Sequence, residues 1–318
     1  MNKTAKICSS VLAPIGAAVI VYFGAVSSNE PSSDPHGAPD RWVVTTSNTL
    51  ENVFVLDLKD FSVTNSAKVG PCLDDYKCDK MAFKQLPGTN SFVKGSLKSE
   101  IGHYSQVIPT IDFEPVSTNK VKPFAIGVFE VTQKQYELVT GEPHGNKFVQ
   151  PDRAKDYVSW NDAHLFIDTL NKKLSGYRVR LASDTEWEYA CRAGYPAIQY
   201  AFGYPDVTMT NIRVAKNLDK YASYLNNADS AEEVMEDVKR FPPVGYFPAN
   251  DFGLYDMHGG VWEWCEDAWT VNGTKGMKVA RGGGYWFNAD DCRAANRHGY
   301  VPTHRNHGFG FRIVIEKK

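Results

Sequence analysis

Two kinds of side chain in the C-terminal third of the sequence could do chemistry, thiols and imidazoles. Cys265 and Cys292 would act as nucleophiles or metal ligands only as thiolates, and no sequence neighbour of either indicates a lowered thiol pKa. Neutral imidazole binds iron and copper, and four histidines fall in this stretch: His258, His298, His304 and His307. No 2-His-1-carboxylate spacing is evident. One hypothesis is therefore a copper or non-heme iron oxidase of a peptide or small molecule, with Cys292 as its candidate catalytic residue.

Residues 287–309 have a composition typical of a recognition surface. They are rich in Asp, Asn, His, Tyr and Arg and contain no Lys, Glu, Gln, Met or Trp. Such residues combine adaptable hydrogen bonding with aromatic contact. This favours a second hypothesis, the binding of an unknown protein or small-molecule ligand through the surface of residues 285–309. The candidate contact residues are Tyr285, Trp286, Phe287, Asn288, Asp290, Asp291, His298, Tyr300, His304 and His307.

Four arginines accompany these residues: Arg281, Arg293, Arg297 and Arg312. They could form an anion-binding cluster. The interpretation we favour is that they pair with carboxylates and backbone carbonyls, because loops without helix or sheet bonds need other partners for their polar groups.

Short elements must position these side chains. Trp262 and Trp264 alternate with other residues, a period of two that predicts a strand with both indoles on one face. Residues 310–315 predict a closing strand, and residues 177–181 another. Three helices are predicted, with N-caps at Thr132, at Ser159, and at Ser183 or Asp184.

The whole chain has 318 residues and a formal net charge of -2, which gives no indication of a nucleic-acid partner. Residues 1–28 combine an early positive charge with a long apolar run, so we expect a cleaved signal peptide or a retained membrane anchor. The rest is then exported, to the periplasm or outside the cell, or anchored to the membrane. We expect a polar linker and irregular β-rich extension over residues 29–80 and one domain over residues 81–318.

Export would allow disulfides. Cys72 and Cys78 lie close together in a polar loop and are the expected pair, although spacing alone does not fix connectivity. Cys191 and Cys265 are expected to be buried structural cysteines.

Several motifs together resemble the formylglycine-generating enzyme (sulfatase-modifying factor) family. The segment RLASDTEWEYACR at 180–192 is similar to a signature of that family. Further matches are EVT at 130–132, VSWNDA at 158–163, GLYDMHG at 253–259, WEW at 262–264, RGG at 281–283 and GFR at 310–312. The resemblance implies an α+β, C-type-lectin-like formylglycine-generating-enzyme fold that is loop-rich and low in regular secondary structure.

The resemblance also implies a reaction that this chain departs from. Enzymes of the family oxidise a substrate cysteine to formylglycine with two copper-binding cysteines shortly after the Arg-Gly-Gly strand. Phe287 stands at the first of these positions, and Cys292 reaches the second only when counted from the glycines. One thiolate does not replace a two-thiolate Cu(I) site. We therefore expect a binding protein rather than a genuine formylglycine-generating oxidase.

Structural calcium is a further implication of the resemblance. Carried over by residue, one site would use the carboxylates of Asp256 and Glu263 and the carbonyls of Gly259 and Val261. A second site would use Asn211, the Ile212 carbonyl and an acid near Glu236 or Asp237.

Residues 287–309 also resemble the variable tail of proteins diversified by retroelements, which use the same lectin-like fold. Randomised adenines in Asn codons exclude the five residue types that are missing here. The candidate variable positions are Phe287, Asn288, Asp290, Asp291, His298, Gly299, Tyr300, Val301, His304, His307 and Gly308.

Overall fold

The computed structural model describes residues 50–69, 73–106, 108, 110–145, 149–195, 202, 204, 206–211, 213–225 and 241–318. They belong to one compact unit, Val44–Lys318. The strands are β1 (Leu50–Asp57), β2 (Val63–Val69), β3 (Lys80–Leu86), β4 (Thr89–Lys94), β5 (Ser117–Val121), β6 (Phe124–Gly127), β7 (Tyr177–Leu181), β8 (Thr208–Met209), β9 (Ala215–Lys216), β10 (Trp262–Trp269), β11 (Met277–Arg281), β12 (Arg297–Tyr300), β13 (Phe309–Gly310) and β14 (Ile313–Lys317). The helices are α1 (Gln133–Thr140), α2 (Trp160–Lys173) and α3 (Asp184–Cys191).

The larger sheet has six antiparallel strands in the order β2-β1-β3-β6-β14-β7. The predicted strand at 177–181 is confirmed as β7. The strand predicted at 310–315 is β14, which begins later, at Ile313, and pairs with β7 from Ile313 with Leu181 to Lys317 with Tyr177. β1 and β2, which include part of the predicted extension, join this sheet through β3.

Capping boxes begin the three helices: Thr132 with Gln135, Ser159 with Asp162, and Ser183 with Glu186. In each box the hydroxyl of the cap and the side chain three residues later satisfy each other's backbone N–H groups. The predicted caps are confirmed, and Ser183 rather than Asp184 is the N-cap of α3. The buried face of α2 repeats with helical spacing: Ala163, Phe166, Ile167 and Leu170.

The smaller sheet has the order β12-β11-β10-β13, and its β10–β13 pair is parallel. Trp262 and Trp264 lie on β10 as predicted, and both are buried in the main hydrophobic core. Glu263 and Cys265, which lie between and after them, are buried as well. The first half of β10 is therefore covered on both faces, which fixes the strand that pairs with β11 and β13.

The N-terminal segment 1–28, residues 29–49 and Cys72 lie outside the described residues. Cys78 has a free thiol in the structure, and its pairing with Cys72 stays a prediction. Within the part of the chain that is described, no helix is long and apolar enough to cross a membrane.

Candidate functional site

Residues 285–309 connect β11 to β13 at the edge of the smaller sheet, with β12 in their middle. Their inner side chains are buried, and their outer ones are half-buried or exposed. We call the outer side chains of residues 286–307 the loop face. The register of β12 with β11, from Lys278 opposite Tyr300 to Arg281 opposite Arg297, holds the segment against the sheet.

Phe287 is packed where the first copper-binding cysteine of the resemblance would stand. Its ring meets the Trp262 indole edge to face, with centroids 5.4 Å apart. Its backbone N–H donates to the Gly284 carbonyl at 2.8 Å, and its carbonyl accepts from the Leu225 N–H at 2.9 Å. The position is thus filled by a fixed apolar ring.

An aromatic cluster continues from this ring towards solvent. Tyr300 and His304 stack with centroids 4.9 Å apart, and both meet Phe309 edge to face. Burial lowers the pKa of His304, so its imidazole is neutral at neutral pH. Tyr300 and His304 are half-buried, so their outer edges can touch a ligand while their inner edges are held by packing.

His298 and Asp291 face each other, with Nε2 and Oδ1 3.7 Å apart. Burial lowers the pKa of His298 to about 4. Burial, together with the neighbouring Asp290 charge, raises the pKa of Asp291 to about 7. At neutral pH the imidazole is neutral, so this contact is not a full ion pair.

Trp286 is 43% exposed, the most exposed of the large apolar side chains at the start of the loop. Asn288 and Asp290 are half-buried beside it. Tyr285, by contrast, is fully buried and stacks on Phe241 with centroids 5.1 Å apart. Tyr285 therefore belongs to the core beneath the loop face.

His307 is joined to polar residues that the sequence did not connect with it. Its Nδ1 lies 3.1 Å from Asp156 Oδ2, and His144 Nε2 lies 3.4 Å from Asp156 Oδ1. Lys155 Nζ is 3.1 Å from His144 Nδ1. No spacing signal could have found this group, because its members come from three distant segments. Among the described residues, no set of three or more His, Cys, Asp or Glu side chains is arranged to hold a metal ion.

Cys292 points away from the loop face into a buried cluster with Ala289 and Phe202. A Cβ added at Gly283 would lie 2.7 Å from its Sγ, so the thiol is closely covered by backbone. Burial raises the pKa of Cys292 well above its ordinary value, which keeps it a thiol. With Phe287 at the other position, these residues do not fit a two-thiolate copper site.

The other two cysteines predicted to be structural, Cys191 and Cys265, are indeed fully buried. Cys191 Sγ lies 3.5 Å from Nε2 of His258, whose Nδ1 donates to the Cys292 carbonyl at 2.7 Å. Burial lowers the pKa of His258 to about 4. His258 is therefore a neutral core histidine in this structure and does not reach the loop face.

The four arginines pair with carboxylates, as the favoured interpretation predicted. Their contacts are Arg281 to Asp184 and Glu188, Arg293 to Glu114 and Glu100, Arg297 to Asp184, and Arg312 to Glu263. Arg281 also donates to the carbonyls of Ala294, Ala295 and Asn296. Because these groups are buried, the network fixes the inner course of the loop.

The residues implied for calcium divide into those that can accept a cation and those that cannot. Both Glu263 oxygens accept from Arg312, and Oε2 also accepts from Trp187 Nε1 at 2.8 Å. A calcium ion at Glu263 would have to displace that guanidinium, so Glu263 does not fit. Among the described residues, Asp256 accepts a hydrogen bond from the Gly245 N–H alone and retains oxygen capacity. The carbonyl-bearing residues Gly259 and Val261 are both buried.

For the second implied calcium site, Asn211 Oδ1 accepts from the N–H groups of Arg213 and Val214 at 2.8 and 3.0 Å. The side chain therefore closes a turn. Ile212 and the acids Glu236 and Asp237 lie outside the described residues, so this site stays a prediction.

Comparison with known proteins identifies relatives named as formylglycine-generating enzymes and relatives whose name calls them inactive. Formylglycine-generating enzyme of Bos taurus is 30% identical over 190 residues, which are 55% of this chain and 47% of that protein. The chain thus spans about half the length of that relative. "Inactive C-alpha-formylglycine-generating enzyme 2" of Bos taurus is 28% identical over 257 residues, with coverage of 63% and 79%.

Solved structures share the fold. PvdO from Pseudomonas aeruginosa superposes with a TM-score of 0.56 at 27% identity, covering 76% of this chain and 95% of its own. Treponema denticola variable protein 1 superposes with a TM-score of 0.57 at 21% identity, covering 74% of this chain and 95% of its own. These neighbours confirm the predicted α+β, loop-rich formylglycine-generating-enzyme-like fold. The model of the sulfatase-modifying factor enzyme 1-like domain matches residues 82–317, and the chain belongs to that family.

Proposed function

We propose that this protein is an exported, non-catalytic member of the family that binds a protein or small-molecule ligand through the loop face. The proposal depends on which residues stand at the positions of the family's two copper-binding cysteines. Phe287 occupies one with a packed ring, and Cys292, which lies near the other, is a buried thiol directed away from the loop face. A relative whose name calls it inactive supports the same interpretation.

The chemistry of the loop face supports binding. Tyr300, His304 and Trp286 present ring edges whose conformations are held by packing. Rigid amphipathic rings contribute contact area with little loss of conformational entropy. The buried arginine–carboxylate network below the loop holds the loop backbone in one conformation, which preorganises the loop face for binding. Export rests on the N-terminal sequence alone, and cell fractionation of the full chain tests it.

The first experiment addresses catalysis. The full chain, purified without a metal-binding tag, is incubated aerobically with copper or iron and assayed for bound metal by mass spectrometry. We expect no stoichiometric copper or iron. Stoichiometric metal that is lost in Cys292→Ala and kept in the buried-thiol control Cys265→Ala would overturn the proposal in favour of a metal-dependent oxidase.

The second experiment addresses binding. Ligands are selected against the full chain from a displayed peptide library and from a glycan array. Their affinities are then measured for the double variant Tyr300→Ala with His304→Ala, and for the control Leu165→Ala, which alters an exposed residue of α2. We expect the double variant to lose at least about tenfold in affinity and the control to lose none. Equal binding by all three proteins would contradict the proposal.

A further inference from the structure

A polar group lies beneath His307, at the C-terminal end of the loop face. The His307 side chain is 36% exposed, and its Nδ1 lies 3.1 Å from Oδ2 of Asp156. Asp156 comes from the segment that leads into α2, and it is fully buried. The Gly308 backbone N–H also donates to this carboxylate. The imidazole of His307 is therefore anchored through Nδ1 on a fixed acid, while the rest of its ring reaches the surface.

The carboxylate determines which nitrogen of His307 accepts a hydrogen bond. An ionised carboxylate only accepts, so Nδ1 must carry the proton that faces it. Nε2 then holds the lone pair of the ring. Burial raises the pKa of Asp156, and the contact with His307 and the charge of Lys155 oppose that rise. His307 is thus set to receive a hydrogen bond from an N–H or O–H group of a ligand.

Two further side chains hold Asp156 from its inner side. Lys155 Nζ lies 3.1 Å from His144 Nδ1, and an ammonium group only donates. The His144 proton is therefore on Nε2, which faces Asp156 Oδ1 at 3.4 Å. Burial lowers the pKa of His144 to about 4, so this ring is neutral at neutral pH. The charge of Lys155 thus offsets that of Asp156 across a neutral imidazole.

Tyr157 places an exposed ring against His307. The residue is 43% exposed, and the two ring centroids are 5.1 Å apart. Its φ of 57° is left-handed, a conformation that costs free energy for a bulky side chain. The buried neighbours Asp156 and Val158 hold the backbone on both sides of it. Strain that is maintained at an exposed aromatic residue indicates a function for the ring outside the core.

We propose that Tyr157 and His307 recognise a neutral, hydroxyl-bearing ring of the sugar class at this end of the loop face. This inference rests on the proposed function and names the ligand that the loop face binds. A ligand hydroxyl donates to His307 Nε2, and the C–H face of the sugar ring packs on the Tyr157 ring. Asp156 is a positioning residue, because it acts on the ligand only through the tautomer of His307.

A neutral sugar fits this surface better than a charged group or an aromatic side chain. The buried charges of Lys155 and Asp156 offset each other, so the polar group favours neither a cation nor an anion. An aromatic side chain of a peptide binds best in an apolar pocket, whereas Tyr157 and His307 are both more than a third exposed. A sugar has an apolar ring face, and its outer hydroxyls stay hydrogen-bonded to water.

The test titrates the full chain, carrying ¹⁵N-labelled histidine, with the methyl glycosides of glucose, galactose and mannose. Nuclear magnetic resonance reads the tautomer of His307 and the affinity together. We expect the Nδ1–H tautomer in the wild type and a shift of the Nε2 signal by at least one glycoside. Asp156→Asn should lose the tautomer preference and about three- to tenfold in affinity.

Tyr157→Gly separates binding from folding. Glycine adopts the φ of 57° without strain, so the Tm of this variant should be no lower than that of the wild type. Its affinity for the glycoside should fall by about tenfold or more, because the ring is gone. The control Tyr246→Ala removes a tyrosine that is 56% exposed elsewhere on the surface, and it should keep the full affinity.

The outcomes distinguish this inference from the proposed function. A wild type that binds no glycoside, but binds peptides through Tyr300 and His304, would overturn the sugar assignment and leave the proposed function standing. Full glycoside affinity in both Tyr157→Gly and Asp156→Asn would also overturn the inference, since the sugar would then bind elsewhere. A wild type that binds neither glycosides nor peptides would contradict the inference and the proposed function together.

Discussion

The inner and outer sides of residues 285–309 are built on opposite principles. On the inner side, Arg293 is fully buried, and its guanidinium spans Glu114, Glu100 and the Gly102 carbonyl. On the outer side, Arg305 is 53% exposed and pairs with Asp162 across the surface. The inner side uses desolvated charge to fix one backbone course, and the outer side uses stacked rings and solvated charge. The difference separates what holds the loop from what can contact a ligand.

The largest loss of unfolding free energy is expected from a substitution on the inner side. Arg293→Met leaves Glu114 buried without its cation, which we expect to cost roughly 3–5 kcal/mol of unfolding free energy. Chemical denaturation followed by intrinsic fluorescence measures it. A loss below about 1 kcal/mol would mean that the inner network does not hold the loop.

The buried His258 should make the inner side sensitive to acid. Burial lowers its folded pKa from the ordinary 6.5 to about 4, so the unfolded chain takes up a proton that the folded chain refuses. Stability is complete above pH 6.5 and falls as pH drops towards 4, by up to about 3 kcal/mol. Unfolding free energies across this range should fall less steeply in His258→Asn, which retains a donor for the Cys292 carbonyl. An unchanged slope would assign the acid sensitivity to other groups.

Gly283 tests how tightly the inner side is packed. An added Cβ would lie 2.7 Å from Cys292 Sγ and 2.9 Å from the Asp291 carbonyl, at a φ of 72°. We expect Gly283→Ala to cost about 1–3 kcal/mol, because a side chain at this φ is strained and the site has no room. Adding Cys292→Ala should recover only part of the loss, since the Asp291 backbone remains. Full recovery would show that the thiol alone sets the limit.

The smallest change in unfolding free energy is expected from a substitution on the outer side. Arg305→Met removes an exposed pair and should change the unfolding free energy by less than about 1 kcal/mol. Denaturant midpoints of this variant and Arg293→Met, measured together, compare the two sides directly. A loss as large as that of Arg293→Met would erase the distinction between them.

The sequence predicted local features well. The caps at Thr132 and Ser159 depend on residues three positions apart, and the Trp262–Trp264 strand on a period of two, so both can be found in a short window. The arginine pairing was also foreseen as a type of interaction, although the individual partners were not.

The features that the sequence did not predict depend on long-range contacts. Arg312 lies 49 residues after Glu263 in the sequence and donates to its carboxylate, which takes Glu263 out of the implied calcium set. Asp156 meets His144 and His307 from three separate segments. Glu130 appeared in the sequence only as part of a family motif. The cavity that it lines together with Phe241, Asp256 and Gly260 forms only when these distant segments meet.

The order of strands in the larger sheet bears on how the protein is made. β14 lies between β6 and β7, and it is the last of the sheet's strands in the chain. A ribosome therefore delivers β1, β2, β3, β6 and β7 before the strand that joins them. Until residues 313–317 emerge, β6 and β7 each have an uncovered edge, and the nascent chain is exposed to mispairing and to chaperones. The sheet is therefore completed only by the last of its own strands to be made.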